Sequence, residues 1–577
     1  MSATLDLHDD RLWLEVGPLD HDLARLVPGL TFNHKTNVWS GLPSWGTALA
    51  CRGVFGHELA MTPAVRAWAE ERVRWERWVE ALKVWQPGAS PAWTEGLYPP
   101  QVSGAGYLAA MARGAITDEA GSGKGVMVAV ALGLLKPDAF PALIVCPRTV
   151  KWTHARHLEE WAPHLHPVVV SGSAAKRRKL IEEGLTSEGG VLIMNWESLR
   201  YHSKLAPYGS TARSEKEKEP GELNVHIPTV IADEAHRAKD PRSKQTRALW
   251  AVSHEADRVW VTTATPIPDP IGFWSIMHTV APLDFQSRVK FQDRYCLTEA
   301  IFAGGGRKVE KVRAFNPRTE AELRRIAEPY MLRRTLDQIV GAGGLPPVVP
   351  STLWVEMEGK QETAYKAMKK DMLAKVPSGI IAATDPMQQS LRLLQMASAL
   401  PTFDQENRLV SFEEPSSKLN ALVDWLEDHD PALSLVVFAV SRRLIELCAR
   451  KLEHLGIPYG LITGAQNEGA RRMAEDGFQR KDLRVLLGTY GAMSEGITLT
   501  AAHHQLMLQR SFKLIENVQA DGRCRRIGQD ADYVNIIDVV SVNSYDESVF
   551  RSGAYKEETA QAILQDPDWI KRELQRY

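Results

Sequence analysis

Two stretches of this 577-residue chain carry residue types suited to phosphate chemistry. The first is Asp118-Glu-Ala-Gly-Ser-Gly-Lys-Gly125. A turn of Gly121, Ser122 and Gly123 can aim several backbone N–H groups at one point, and Lys124 adds a mobile positive charge at a helix N-terminus. Together they make an anion cradle. The second stretch is Val230-Ile-Ala-Asp-Glu-Ala-His236, an apolar strand delivering Asp233 and Glu234 at its C-terminal end. That is the edge at which α/β sheets bind ligands. Asp233 suits Mg²⁺, and Glu234 suits orienting a water for attack on a terminal phosphate. Alone, each stretch also fits a structural role, a tight turn for the first and a helix cap for the second. Their order along the chain favours chemistry.

Three further stretches belong to the same pattern. Gln519-Ala-Asp-Gly-Arg-Cys-Arg-Arg-Ile-Gly-Gln529 sets Arg523 and Arg526 three apart, on one helical face. Arginines so placed can neutralise charge on a transferring phosphoryl group; a solvated basic helix is the structural alternative. Thr262-Thr-Ala-Thr-Pro266 ends the strand after the carboxylates, and its hydroxyls can link them to the rest of the lobe. Gln101, in Leu97-Tyr-Pro-Pro-Gln101, can read an adenine edge through its amide.

The elements that must position these residues are strands alternating with helices. Apolar runs at Ala142–Cys146, 167–170, 191–194, 229–232 and 259–262 predict a parallel sheet covered on both faces. A second series, at 433–440, 459–463, 483–489, 504–509 and 533–540, predicts another. A Gly- and Pro-rich stretch at 341–350 reads as the linker between them, and 209–222 as a solvated charged loop. Residues 1–90 read as a small α+β unit. It has a strand at 11–16, a hairpin around Lys35, a helix at 44–55 and a helix opened by Thr62-Pro63. Eight of the 17 tryptophans precede residue 94, and Trp68, Trp75, Trp78 and Trp85 fall near one helical face. Core and docking surface is the expected reading of these rings; base stacking is the alternative. The expected organisation is 1–90 accessory, 91–345 first lobe, 346–545 second lobe and 546–577 helical tail.

Composition narrows the classes. Hydrophobic residues at 44% and charged residues at 24% are those of a globular protein. No apolar run approaches the roughly 18 residues that span a bilayer, and the polar, acidic start is unlike a signal peptide. Five scattered cysteines without CxxC spacing point to a reducing compartment and away from zinc. The net charge of −2 means that nucleic-acid contact must come from local basic patches such as Lys176-Arg-Arg-Lys179 and the 324–334 region.

In this order the motifs resemble helicase superfamily two, and within it the SWI/SNF-type ATPases. Further matches are Asn195-Trp-Glu-Ser-Leu199, Met331-Leu-Arg-Arg-Thr335, Ser417-Lys-Leu419, Val437-Phe438 and Gly491-Ala-Met-Ser-Glu-Gly-Ile-Thr-Leu-Thr-Ala-Ala502. The Arg-Ile-Gly-Gln ending and the Asp118-Glu119 pair are typical of that branch. The resemblance covers about 97–540 and implies two RecA-like lobes with helical insertions, ATP and Mg²⁺ as cofactors, and DNA as partner. It implies that Gln101, Gly121, Ser122, Gly123, Lys124, Gly125, Gly496 and Gln519 line the nucleotide. Lys124, Asp233, Glu234, Arg523 and Arg526 would be catalytic, with Asp233 on the metal. Asn195, Ser441, Gly464, Thr489 and Thr498 would lie near the DNA. More loosely, residues 1–90 resemble the HARP-type accessory domain of annealing-helicase members.

The expected function is an ATP-dependent DNA translocase of repair, replication or remodelling, acting as a monomer in a bacterial or virus-host cytosol. Asp-Glu-Ala-His is shared with RNA helicases, the second reading. The third is a weakly hydrolysing DNA-binding or annealing factor. Gly125 motivates it, because such loops normally place Ser or Thr there to hold Mg²⁺.

Overall fold

Continuously apolar strands need cover on both faces, and every residue of Ala142–Cys146 and Gly190–Asn195 is buried. They belong to a seven-stranded, all-parallel sheet. Its order is Met331–Leu332, Arg113–Ile116, Arg258–Thr262, Thr229–Asp233, Ala142–Cys146, Gly190–Asn195, His166–Val169. Helices cover both faces, with separate apolar clusters on either side. The computed structural model describes residues 3–88, 92–208, 221–264, 269–303, 307–341, 344–384, 386–493, 497, 499–512 and 514–551. It divides into two compact units, Met1–Ile339 and Val340–Tyr577.

In the first unit, a five-stranded sheet precedes the parallel one, in the order Thr31–Asn33, Val38–Gly41, Arg11–Glu15, Ala3–His8, Leu59–Met61. The hairpin around Lys35 pairs Thr31 with Ser40. Ala3–His8 is a strand absent from the sequence reading; Ala3 and Leu5 are its buried residues. Ser44 and Thr62 cap the helices Trp45–Phe55 and Pro63–Lys83 through their hydroxyls. Pro63–Lys83 packs on the parallel-sheet lobe through Arg72, Trp75, Glu76 and Val79, while Trp78 and Trp85 are more than two-fifths exposed. The Arg72 guanidinium stacks 3.9 Å from the Trp75 ring centroid and donates to the Tyr330 hydroxyl at 3.2 Å. Trp39 and Trp45 are buried, so much of the early aromatic run serves packing.

The second unit holds a six-stranded, all-parallel sheet. Its order is Val348–Val355, Val534–Ser541, His504–Met507, Leu435–Ala439, Val485–Thr489, Tyr459–Ile462. The first strand begins inside the stretch read as linker, because Val348 and Val349 pair with Val534 and Asn535. The insertions carry the expected helices and also hairpins. Cys296–Ala303 pairs with Arg307–Phe315 in the first unit, and Leu373–Val376 with Gly379–Ala382 and Leu400–Phe403 with Leu409–Glu413 in the second. The expected helical tail beyond 551 lies outside the described residues. Among the described residues, no helix is long and apolar enough to cross a membrane.

Candidate functional site

Strand Arg113–Ile116 leads into the glycine turn and helix Lys124–Gly133 leaves it. Gly121 and Gly123 adopt φ of 86° and 81°, where a β-carbon is strained, so the turn needs glycine to aim its N–H groups. The turn is held by the segment 331–336. Thr117 N donates to the Leu332 carbonyl at 2.7 Å, Glu119 N to the Arg334 carbonyl at 3.1 Å, and Leu336 N to Glu119 Oε2 at 2.9 Å. Arg334 forks onto the fully buried Asp118 carboxylate, at 2.7 Å to Oδ2 and 3.2 Å to Oδ1. Its Nη1 donates to Ser103 Oγ at 3.0 Å and to the Pro100 carbonyl. Arg333 donates to the carbonyls of Thr117 and Ala264. The sequence reading noted Arg333 and Arg334 as a motif and as a basic patch for DNA; the fold uses them to brace the turn.

Lys124 Nζ folds back to donate to the carbonyls of Asp118 and Glu119, each at 2.9 Å. Burial pushes its ammonium below the usual lysine range, against the pull of Glu234, Asp118 and Asp233. Gln101 is buried at the start of helix Pro99–Ala110. Its Oε1 accepts from Tyr98 N and its Nε2 donates to the Ser122 carbonyl, both at 3.0 Å. In this structure the amide joins helix to turn.

Strand Thr229–Asp233 delivers the carboxylates. Asp233 Oδ1 accepts from Thr262 Oγ1 at 2.6 Å, Oδ2 hydrogen-bonds His154 Nε2 at 3.0 Å, and its carbonyl accepts from Trp196 Nε1 at 3.0 Å. Thr262 thus links the carboxylate site to the neighbouring strand, and Thr263 Oγ1 lies 3.3 Å from His236 Nδ1. Thr265 and Pro266 lie outside the described residues. Burial raises the Asp233 carboxyl, but His154, Thr262 and Lys124 outweigh it and hold the group below the usual carboxylate range. Glu234 sits at a left-handed φ of 52°, a strained geometry for this residue type.

Helix Lys151–Trp161 brings two histidines to this site that the sequence reading did not select. The one available signal was their spacing of three, which puts His154 and His157 on one face. His157 lies against Gly125, where an added β-carbon would be 3.0 Å from His157 Nδ1. Burial pushes the His157 imidazole down to about 4, so its ring is neutral near pH 7. Ser122 Oγ and His157 Nδ1 are buried without hydrogen-bond partners, and the buried Glu234 Oε2 lies 3.2 Å from His236 Nδ1. Orphaned buried polar atoms are rare unless a ligand satisfies them. Beside a glycine cradle, a lysine and Asp233, they fit a phosphate ligand with its cation. Among the described residues, no three His, Cys, Asp or Glu could hold a metal by themselves.

The structure therefore brings Gln101, Gly121, Ser122, Gly123, Lys124, Gly125, Asp233 and Glu234 to one end of the first sheet. Asn195 ends a strand of the same sheet, but its amide donates to Glu197 Oε2 at 2.7 Å and accepts from Ser198 Oγ at 2.8 Å. In the second unit, Arg523 is buried and donates to the Ile497 carbonyl at 3.0 Å; Arg526 Nε donates to the Gly522 carbonyl at 3.1 Å. Gln519 is buried with Nε2 unpartnered, Thr489 ends its strand, Ser441 N donates to Gln509 Oε1 at 2.9 Å, and Gly464 is exposed. Gly496 and Thr498 lie outside the described residues. Arg510 bridges Asp538 (2.5 and 3.0 Å) and Asp521 (2.6 Å).

Comparison with known proteins matches two family models, the SNF2-related domain over residues 68–400 and the helicase conserved C-terminal domain over 417–528. The Arabidopsis thaliana chromatin structure-remodeling complex protein SYD is 24% identical over 77% of this chain and 12% of its own length. The Danio rerio chromodomain-helicase-DNA-binding protein 1-like is 23% identical over 87% of this chain and 47% of its own. The Mus musculus DNA annealing helicase and endonuclease ZRANB3 is 23% identical over 72% and 36%. The chain thus spans about half or less of the length of these relatives. Among solved structures, the Sulfolobus solfataricus SWI2/SNF2 ATPase core in complex with dsDNA covers 85% of this chain and 97% of that one. Its identity to this chain is 20% and the TM-score is 0.37. With the first family model spanning more than half of the 577 residues, the chain belongs to the SNF2-related, SWI/SNF-type branch of helicase superfamily two.

Proposed function

We propose that this protein is a DNA-dependent ATPase that couples ATP hydrolysis to movement along DNA. The observation that carries the reading is the convergence of the glycine turn, Lys124, Asp233 and Glu234 at one sheet edge, with orphaned polar atoms among them. In this reading the N–H groups at 121–125 and Lys124 bind and orient the phosphates. Asp233, fixed by Thr262 and His154, would hold Mg²⁺, which neutralises phosphate charge when bound. Glu234 orients the attacking water, with His236 Nδ1 3.2 Å from its Oε2. Arg523 and Arg526 are the second unit's candidates for offsetting charge in the transition state. Thr489, Thr498, Ser441 and Asn195 are candidates for DNA contact. Residues 1–90 are read as an accessory domain ahead of lobes at 91–345 and 346–545. The names of the relatives, which include DNA-binding and annealing helicases, support DNA as the partner.

The test is ATP turnover with single-stranded, duplex and forked DNA and with RNA. Stimulation by DNA is expected, and Lys124→Ala should lower turnover by about 100-fold or more, as loss of a charge stabiliser does. Unchanged turnover in Lys124→Ala, or stimulation by RNA alone, would overturn the reading.

A further inference from the structure

We propose that His157 substitutes for the hydroxyl missing from the phosphate loop, so that the metal–nucleotide complex is bound by an imidazole nitrogen. The proposal rests on the nucleotide reading above. Position 125 follows the loop lysine, where a Ser or Thr would present its oxygen to the cation. In this chain the space is taken from the other side. A β-carbon on Gly125 would meet His157 Nδ1 at 3.0 Å, His157 Cε1 at 3.2 Å and His154 Cε1 at 3.6 Å. The ring atom nearest the missing side chain is thus a nitrogen, and that nitrogen is buried without a hydrogen-bond partner. One helical turn earlier, His154 engages Asp233 Oδ2 at 3.0 Å. The two imidazoles meet edge to face at 6.4 Å between centroids. The pair therefore lines the cradle from Gly125 to the carboxylate, with His154 as a positioning residue and His157 presenting an unused donor atom. Its occupant is a divalent cation carrying a nucleoside di- or triphosphate.

Ligand chemistry gives the consequence. Mg²⁺ favours oxygen ligands and sheds water reluctantly, whereas imidazole suits later divalent ions. Replacing a hydroxyl by an imidazole should shift preference from Mg²⁺ toward Mn²⁺ and Co²⁺.

The test uses the full chain with Mn²⁺ and ADP. Electron spin-echo modulation of the bound Mn²⁺ is recorded on protein with natural-abundance nitrogen and on protein carrying ¹⁵N-histidine. Modulation that switches from ¹⁴N to ¹⁵N frequencies on labelling, and is lost in His157→Gln, is expected. In parallel, the affinity of a fluorescent ADP analogue is measured with Mn²⁺ and with Mg²⁺. The preference for Mn²⁺ should fall at least threefold in His157→Gln. Tight ADP binding with no histidine-dependent modulation would overturn this proposal and leave the nucleotide reading standing. Failure to bind ADP with either ion would overturn both. If His157→Gln does not fold, His157→Ala read by the same spectra keeps the test decisive, because modulation arising from His154 would persist in it and overturn the proposal.

Discussion

Removing the Arg334 side chain tests whether the edge segment 331–336 holds the phosphate loop in shape. Arg334 makes a two-pronged contact with Asp118, whose side chain has no exposure at all, and ties the same guanidinium to Ser103 and Pro100. Arg334→Ala leaves a buried carboxylate without its cation. Breaking a buried pair in this way costs about 3–5 kcal/mol, chiefly through the uncompensated charge. Removing both charges should cost much less, since an uncharged pair of similar volume is often close to neutral. The double variant Asp118→Asn/Arg334→Met should therefore be more stable than the sum of its single variants predicts, by about 2 kcal/mol or more. Fourteen of the 17 tryptophans precede residue 340, all but Trp354, Trp425 and Trp569, so fluorescence in a urea titration reports mainly the first unit. Binding of a fluorescent ADP analogue gives the functional readout, and about tenfold weaker binding is expected of Arg334→Ala, near 1.4 kcal/mol. A loss of stability below about 1 kcal/mol, additive with Asp118→Asn, would refute the clamp.

Three other perturbations probe separate parts of the fold. Lys418 is fully buried, with Nζ donating to the Leu508 carbonyl at 2.5 Å, the Val539 carbonyl at 2.9 Å and Asp546 Oδ2 at 2.7 Å; Lys418→Met should destabilise the second unit by about 3–5 kcal/mol in calorimetry and leave ADP affinity unchanged. Burial pushes His278 from its ordinary 6.5 down to about 4; between these values the unfolded chain binds the extra proton, so its stabilisation is full above pH 6.5 and declines as pH falls toward 4. His157 acts in the same direction, and thermal unfolding of the first unit between pH 7 and 4.5 should show a loss on the order of 3 kcal/mol per histidine. Arg72→Ala removes the stack on Trp75 and the bond to Tyr330, and should lower first-unit stability by about 1–3 kcal/mol with the intact lobe still binding ADP.

Much of the architecture was legible because it rests on local patterns. Continuous apolar runs announced both parallel sheets, and Thr62-Pro63 announced its helix. Ala3–His8 escaped because only Ala3 and Leu5 are fully buried in it, too short an alternation to stand out. The hairpin at 373–382 escaped because its two strands are four residues each, too short for their buried alternation at Ala374, Val376 and Ile381 to stand out. In the hairpin at 296–315, residues 297–300 and 310–311 are exposed and carry little apolar periodicity. On the helix Pro63–Lys83, the tryptophans suggested the buried face, yet Arg72 and Glu76 face inward and Trp78 faces out. A paired charge can be buried where an aromatic ring is not, and the pairing partners, Asp284 and Tyr330, lie over two hundred residues away. In the site, motif residues were legible and their supports were not. Arg334 and Asp118 are 216 residues apart, and His154 and Asp233 are 79 apart. Such pairs exist only once the strand order is set.

Gly125 shows how this changes an argument about function. Taken alone, it is a lost ligand, and Gly125→Thr looks like a repair. In the fold, the new β-carbon would crowd His157 Nδ1 at 3.0 Å, closer than side chains ordinarily tolerate, so the ring or the helix start must shift. Overpacking of this kind typically costs about 1–3 kcal/mol, and at this position it would also move the N–H groups that cradle phosphate. Gly125→Thr alone should therefore weaken ADP binding. Gly125→Thr with His157→Ala frees the space for the threonine and should recover affinity in Mg²⁺ above that of either single variant. If Gly125→Thr alone binds ADP in Mg²⁺ more tightly than the wild type, the glycine is a simple deficit and the histidine is only its neighbour. Recovery confined to the double variant would mean that the two positions form one unit, in which the side chain absent from the loop is supplied by the facing helix.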